Sequence, residues 1–183
     1  LVKIPKLFLS RFERFWSRAA GDEADSQRLN TVPHGVAKGL AAVLAPLLAR
    51  WAKRQEQRIL RDGVKLSAGA LAFAESLGIE RADGVRVLVM QPIPLPAPWW
   101  LVRWARRCRL PVFAPGGMAL GRGIFLLPGQ EDSLPHELVH VLQYQRLGGI
   151  EGFMKRYLVE CLVDGYAESA LEREARSSSS PNC

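Results

Sequence analysis

The chain has 183 residues, 48% apolar and 23% charged, which suits one modest core of a globular domain and argues against two. Its three cysteines, Cys108, Cys161 and Cys183, are scattered, odd in number and without CxxC spacing, so a disulfide framework or a thiolate zinc site is not expected. The net charge of +7 is unevenly placed: residues 1–61 hold 12 Lys/Arg against 5 Asp/Glu, and residues 62–183 hold 13 of each.

This charge split points the front third towards an acidic partner, with an anionic membrane surface ahead of nucleic acid. No RNP, KH or helix-turn-helix signature supports nucleic acid. The plain alternative is a solvated basic face. Cysteine usage fits a reducing cytoplasm, with membrane association through the basic segment as the other location. The longest apolar run, "GLAAVLAPLLA" (39–49), is shorter than the roughly 20 residues of a membrane span.

In chain order, residues 3–18 read as a basic helix with Ile4, Phe8, Phe12 and Phe15 on one stripe, followed by a polar loop. A second helix is expected from Val36 to Leu60, burying Val36, Leu40, Val43, Leu47 and Trp51 and kinked or divided at Pro46. A short helix over 65–79 starts near Ser67 and stops at Gly78. "VRVLVM" (85–90) has the β-branched alternation of a strand. A proline-rich connector and a short tryptophan-bearing helix follow. "PVFA", "GMAL" and "IFLL", separated by glycines, then suggest a small antiparallel meander. The remainder is helical: one helix ending at Gly148-Gly149, a second broken at Asp164-Gly165, and "YAESALEREAR". The order of helices, sheet and helices argues an α+β fold. The expected organisation is a basic helical segment over 1–61, a domain over 62–177 and a disordered tail over 178–183.

The chemistry concentrates in "LPHELVHVLQYQRLGG" (134–149), which contains two of the three histidines. At 100° per residue, His136 and His140 lie about 40° apart, so their rings can converge on one ion. Glu137 is angled away from that pair, where it can act on water without binding the metal. A helical His-Glu-x-x-His is therefore a zinc hydrolase signature, with Glu137 as general base and acid. Two buried or capping histidines on a helix are the plain alternative. A catalytic zinc keeps three protein ligands, and no third histidine follows. Composition leaves Glu151, Glu160, Asp164, Glu168, Glu172 and Glu174 open as the third.

"HELVHVLQYQRLGG", a connecting helix and "GYAESALEREAR" together resemble the gluzincin zinc peptidases, and most nearly their compact minigluzincin-type domains. The resemblance covers about residues 85–177. It implies a zincin-like fold, a Zn2+ cofactor, a peptide or protein substrate, and Glu172, followed by Ala175, as third ligand. It also implies that "GIFLLPG" offers a strand edge to an extended peptide. In one departure, Ser169-Ala170-Leu171 stands where related chains often carry an Asn-Pro pair. Ser169 and Glu172 moreover form an S-x-x-E capping box, which would turn Glu172 towards backbone, with Glu168 and Glu174 then competing for the metal. Gln143 shares the histidine face and could orient an imidazole or bond the later helix. Tyr166 could donate to a tetrahedral oxyanion, with Tyr157 the weaker candidate. Trp99, Trp100 and Trp104 are expected in the packing of the sheet.

This reading gives a zinc-dependent metallopeptidase. Its rivals are a zincin-fold scaffold without turnover and a membrane-surface module built on the basic front.

Overall fold

The computed structural model describes residues 33–96, 116–166 and 168–179. The aromatic stripe of residues 4–15, the strand expected over 111–114 and the tryptophans at 99, 100 and 104 lie outside the described residues.

Helix α1 (His34–Asp62) runs through Pro46 without being divided. Its buried side is a row of small residues, Ala37, Ala41, Ala45, Ala49 and Ala52, followed by Ile59. The expected stripe is thus corrected: Val36, Leu40, Val43 and Leu47 are exposed, and Trp51 is half-buried. Hydrophobicity alone favours the larger side chains, but alanines let α1 and a neighbouring helix approach closely. That neighbour is α4 (Ile150–Val163), joined to α1 by an ion pair in which Lys53 Nζ lies 2.8 Å from Glu151 Oε1. α1 ends one residue past the expected boundary at 61/62, and its buried side contributes to the same core as the residues that follow.

After α1 come β1 (Val64–Lys65) and α2 (Ala68–Ser76), whose N-cap Ser67 accepts a hydrogen bond from the Ala70 amide at 3.3 Å. A turn of 3-10 helix at Ala82–Gly84 leads into β2 (Arg86–Val89). Strands β3 (Gly117–Leu120) and β4 (Gly123–Leu126) form an antiparallel hairpin. Its turn is fixed by Gly121 at φ 64° and by the Glu56 carboxylate of α1, which accepts from the Arg122 amide at 2.9 Å.

The sheet order is β1-β2-β4-β3. β1 pairs antiparallel with β2, while β2 and β4 run parallel, so the sheet is mixed rather than an antiparallel meander. The long connection between β2 and the hairpin permits that parallel pairing. β4 therefore lies between two strands and has no free edge, contrary to the expectation for "GIFLLPG". β1 and β3 are the edge strands among the described residues.

Helix α3 (Leu134–Arg146) carries the histidines and ends at Gly148 and Gly149, both at positive φ. α4 follows, and α5 (Ala170–Ser179) closes the described chain against α3. The helix includes Ser178 and Ser179, the first two residues of the segment expected as a tail, and the rest of that segment lies outside the described residues. The fold is α+β. Its core gathers Ile59 from α1, Ile124 and Phe125 from β4, Leu138 from α3, Phe153 from α4 and Leu171 from α5.

Candidate metal centre

The four-residue spacing on α3 brings His136 Nε2 to 3.1 Å from His140 Nε2. The two rings meet edge to face with centroids 4.7 Å apart. Glu172, on the first turn of α5, completes the group: Oε2 lies 3.4 Å from His136 Nε2 and Oε1 lies 3.6 Å from His140 Nε2. Four atoms around a tetrahedral ion at about 2.0–2.1 Å would stand roughly 3.3 Å apart. The His136–His140 and His136–Oε2 separations lie on either side of that value, while the 3.6 Å contact of His140 is to the other carboxylate oxygen, Oε1.

Hydrogen bonding around His140 decides which nitrogen faces the centre. Gln143 Nε2 donates to the Leu171 carbonyl and to Glu174 Oε2, each at 2.9 Å. Its Oε1 is then the acceptor for His140 Nδ1–H at 2.8 Å. The neutral His140 ring consequently presents a lone pair on Nε2, beside the His136 nitrogen. Gln143 thus touches the imidazole and the later helix at once.

Burial would raise the Glu172 pKa, but the two adjacent imidazoles and the Tyr157 hydroxyl hold it well below the usual carboxylate range. Tyr157 Oη donates to Oε1 at 2.9 Å. Oε2 is buried with no hydrogen-bond partner. A carboxylate oxygen desolvated and left without a donor is costly, and a cation at the convergence point would satisfy it. The donor set, two nitrogens and one carboxylate oxygen, suits Zn2+.

His140 carries the complementary shift: burial would lower its pKa, yet Glu172, Glu137 and Gln143 raise it. Glu137 is displaced upward, mainly by burial. Its Oε2 accepts from the Ala119 amide of β3 at 2.7 Å. The Ala119 carbonyl accepts from Tyr144 Oη at 3.2 Å, so α3 covers this part of the β3 edge with its own side chains. Gly117 makes room for the carboxylate, because a Cβ there would lie 2.7 Å from Glu137 Cγ and 2.9 Å from Leu126 Cδ2.

The other carboxylates have different partners. Glu174 pairs with Arg146 at 2.6 Å as well as with Gln143. Glu151 pairs with Lys53, while Asp164 and Glu168 are exposed. Glu160 Oε2 accepts from Ser169 Oγ at 2.9 Å and from the Leu171 amide at 3.0 Å, so α4 caps the start of α5. The Ser169–Glu172 box is only half made: the Glu172 amide reaches Ser169 Oγ at 3.5 Å while its side chain turns to the histidines.

Tyr166 is half-buried, and burial together with Glu172 and Glu137 raises its pKa, which keeps its phenol protonated. Tyr157 has a contact that sequence reasoning did not assign, since it holds the glutamate. The available signal was the i, i+4 spacing of Phe153 and Tyr157, which places both on the α4 face towards α3. Phe153 stacks on Tyr144 and on Tyr157, with centroids 3.9 and 5.3 Å apart, and stands edge-on to His140. His136 keeps 23% of its side chain exposed against 2% for Glu172, so the centre opens to solvent on the His136 side.

A scan against models of protein families matches none, and searches of the curated proteins and of the solved structures return no match.

Proposed function

We propose that this protein is a zinc-dependent metallopeptidase with a zincin-like domain of the gluzincin type. One observation carries the reading: two imidazole Nε2 atoms stand 3.1 Å apart, and the buried Glu172 carboxylate turns one oxygen to each of them, at 3.4 and 3.6 Å. His136, His140 and Glu172 would hold the ion. Bound zinc supplies Lewis acidity to a carbonyl oxygen and brings the pKa of water near neutrality.

The remaining chemistry falls to the chain's own groups. Glu137 Oε2 is fixed by the Ala119 amide, which leaves Oε1 to take a proton from the attacking water and return it to the leaving amine. Its burial raises its proton affinity, and a base closer to neutrality passes a proton more readily. Tyr166, protonated beside Glu172, is the donor assigned to the developing oxyanion. Substrate is a peptide or protein segment. The β3 edge at Ala119 is occupied by Glu137 and Tyr144, so backbone pairing with substrate has to use another part of that strand.

The test combines elemental analysis with proteolysis of an unstructured substrate such as casein. Wild type is expected to carry one zinc, and His136→Ala and Glu172→Ala to lose it. Glu137→Gln is expected to keep zinc and lose cleavage. Zinc retained by His136→Ala and Glu172→Ala, or full cleavage by Glu137→Gln, contradicts the assignment.

A further inference from the structure

The metal centre leaves the outer face of α1 unexplained. Val36, Leu40, Val43, Leu44 and Leu47 remain 54, 43, 68, 42 and 59% exposed, which is high for five large aliphatic side chains on consecutive turns. At 100° per residue they share one sector of about 120° with Arg50, Arg54, Arg58 and Arg61. All four arginines are exposed. The face is thus aliphatic along its first half and cationic along its second, over a length of about 38 Å at 1.5 Å per residue.

We propose that this face docks the protein on the surface of an anionic phospholipid bilayer. The aliphatic row enters the headgroup–acyl boundary, and the arginines meet lipid phosphates alongside it. Charge complementarity favours this occupant. Glu56 is the only acidic residue between His34 and Arg61, and it faces away, onto the β3–β4 turn. Arg50 and Arg54 have no ion-pair partner among the described residues. The row is wholly aliphatic, without the aromatic anchors that dominate protein–protein hot spots. Although α1 is long and apolar enough to cross a membrane by length and composition, its alanine side is buried against protein. It therefore lies on the bilayer rather than spanning it.

The test is cosedimentation of the full chain with vesicles of phosphatidylcholine alone, or with phosphatidylglycerol at about a third of the lipid, the fraction supplying the surface potential. Binding is expected only with the anionic lipid and is expected to weaken with added salt. Arg50→Gln with Arg54→Gln is expected to weaken it roughly 25-fold, about fivefold per charge. Val43→Glu with Leu47→Glu is expected to weaken it roughly tenfold or more. Unchanged circular dichroism and melting temperature show that each variant is folded. The proposal is overturned if the full chain ignores anionic vesicles, or if folded variants bind like wild type. It is overturned as well if Val43→Glu with Leu47→Glu only converts a dimer to a monomer, which assigns the face to a second copy. Protection of Val43 and Leu47 from hydroxyl radicals without lipid gives the face to the chain itself and also overturns it.

Discussion

Replacing Gln143 by leucine tests the link between the histidine helix and the helix that delivers the glutamate. The side chain is 1% exposed and makes three hydrogen bonds, so leucine fills most of its volume while removing every polar contact. Glu174 keeps Arg146, but His140 Nδ1–H and the Leu171 carbonyl are left buried without their partner. Each such group costs about 1–3 kcal/mol, so the metal-free protein should lose about 2–5 kcal/mol. Zinc affinity should fall about 10- to 100-fold, the usual effect of losing the group that orients a ligating imidazole. Urea unfolding of the metal-free protein reads the first quantity, and competition with a chromophoric chelator reads the second. Gln143→Glu separates them: it still accepts from Nδ1–H but faces the Leu171 carbonyl and Glu174 with an acceptor. It should hold zinc while losing stability. A folded Gln143→Leu protein with wild-type zinc affinity would refute the reasoning.

Tyr157→Phe removes a hydroxyl donated to Glu172, and because hydrogen bonds to charged groups are worth about 1.5–3 kcal/mol, zinc affinity should change by tenfold or more. An unchanged chelator titration would show that the phenol is idle. Zinc affinity should also depend on pH in a stated direction. The metal needs neutral imidazoles, and the neighbouring carboxylates and Gln143 lift the His140 pKa in the metal-free site above the ordinary imidazole value of about 6.5, against the effect of burial. Protons therefore begin to compete above that pH, and affinity should fall by about tenfold per pH unit per displaced proton as pH drops through the raised pKa. A dissociation constant that is flat between pH 8 and 6 would contradict this. Gly117→Ala pushes a methyl group into Glu137 and Leu126, so it should destabilise by about 1–3 kcal/mol and reduce cleavage more than zinc content. Equal losses of cleavage and zinc would show that Glu137 is not the group displaced.

The HELVH helix was readable because its pattern is local: two imidazoles four residues apart need only helical periodicity. Which carboxylate meets them was not, since Glu151, Glu160, Asp164, Glu168, Glu172 and Glu174 differ only in tertiary partners. Glu174 is engaged by Arg146, Glu151 by Lys53 and Glu160 by the start of α5, and none of these pairings follows from spacing. The caps at Ser67 and Gly148-Gly149 were legible for the same local reason as the histidines. The buried face of α1 was misread because periodicity finds an apolar stripe but not which of two stripes meets the neighbouring helix. Ala37, Ala41, Ala45 and Ala49 win through close approach, a property of the pair of helices rather than of either one. Likewise, β4 became a central strand because β2 arrives in parallel from far upstream, which no run of alternating residues encodes.

The clamp formed by Gln143 and Arg146 has a consequence for turnover of the protein itself. It holds the final described helix by the Leu171 carbonyl and the Glu174 carboxylate, one residue before and two after Glu172. An ion gripped by His136, His140 and Glu172 adds a fourth fastening at the same junction, so occupancy and attachment of the carboxy-terminal segment are thermodynamically coupled. Starvation for the ion would then loosen this helix from its neighbour and expose it to proteolysis, and resupply would close it again.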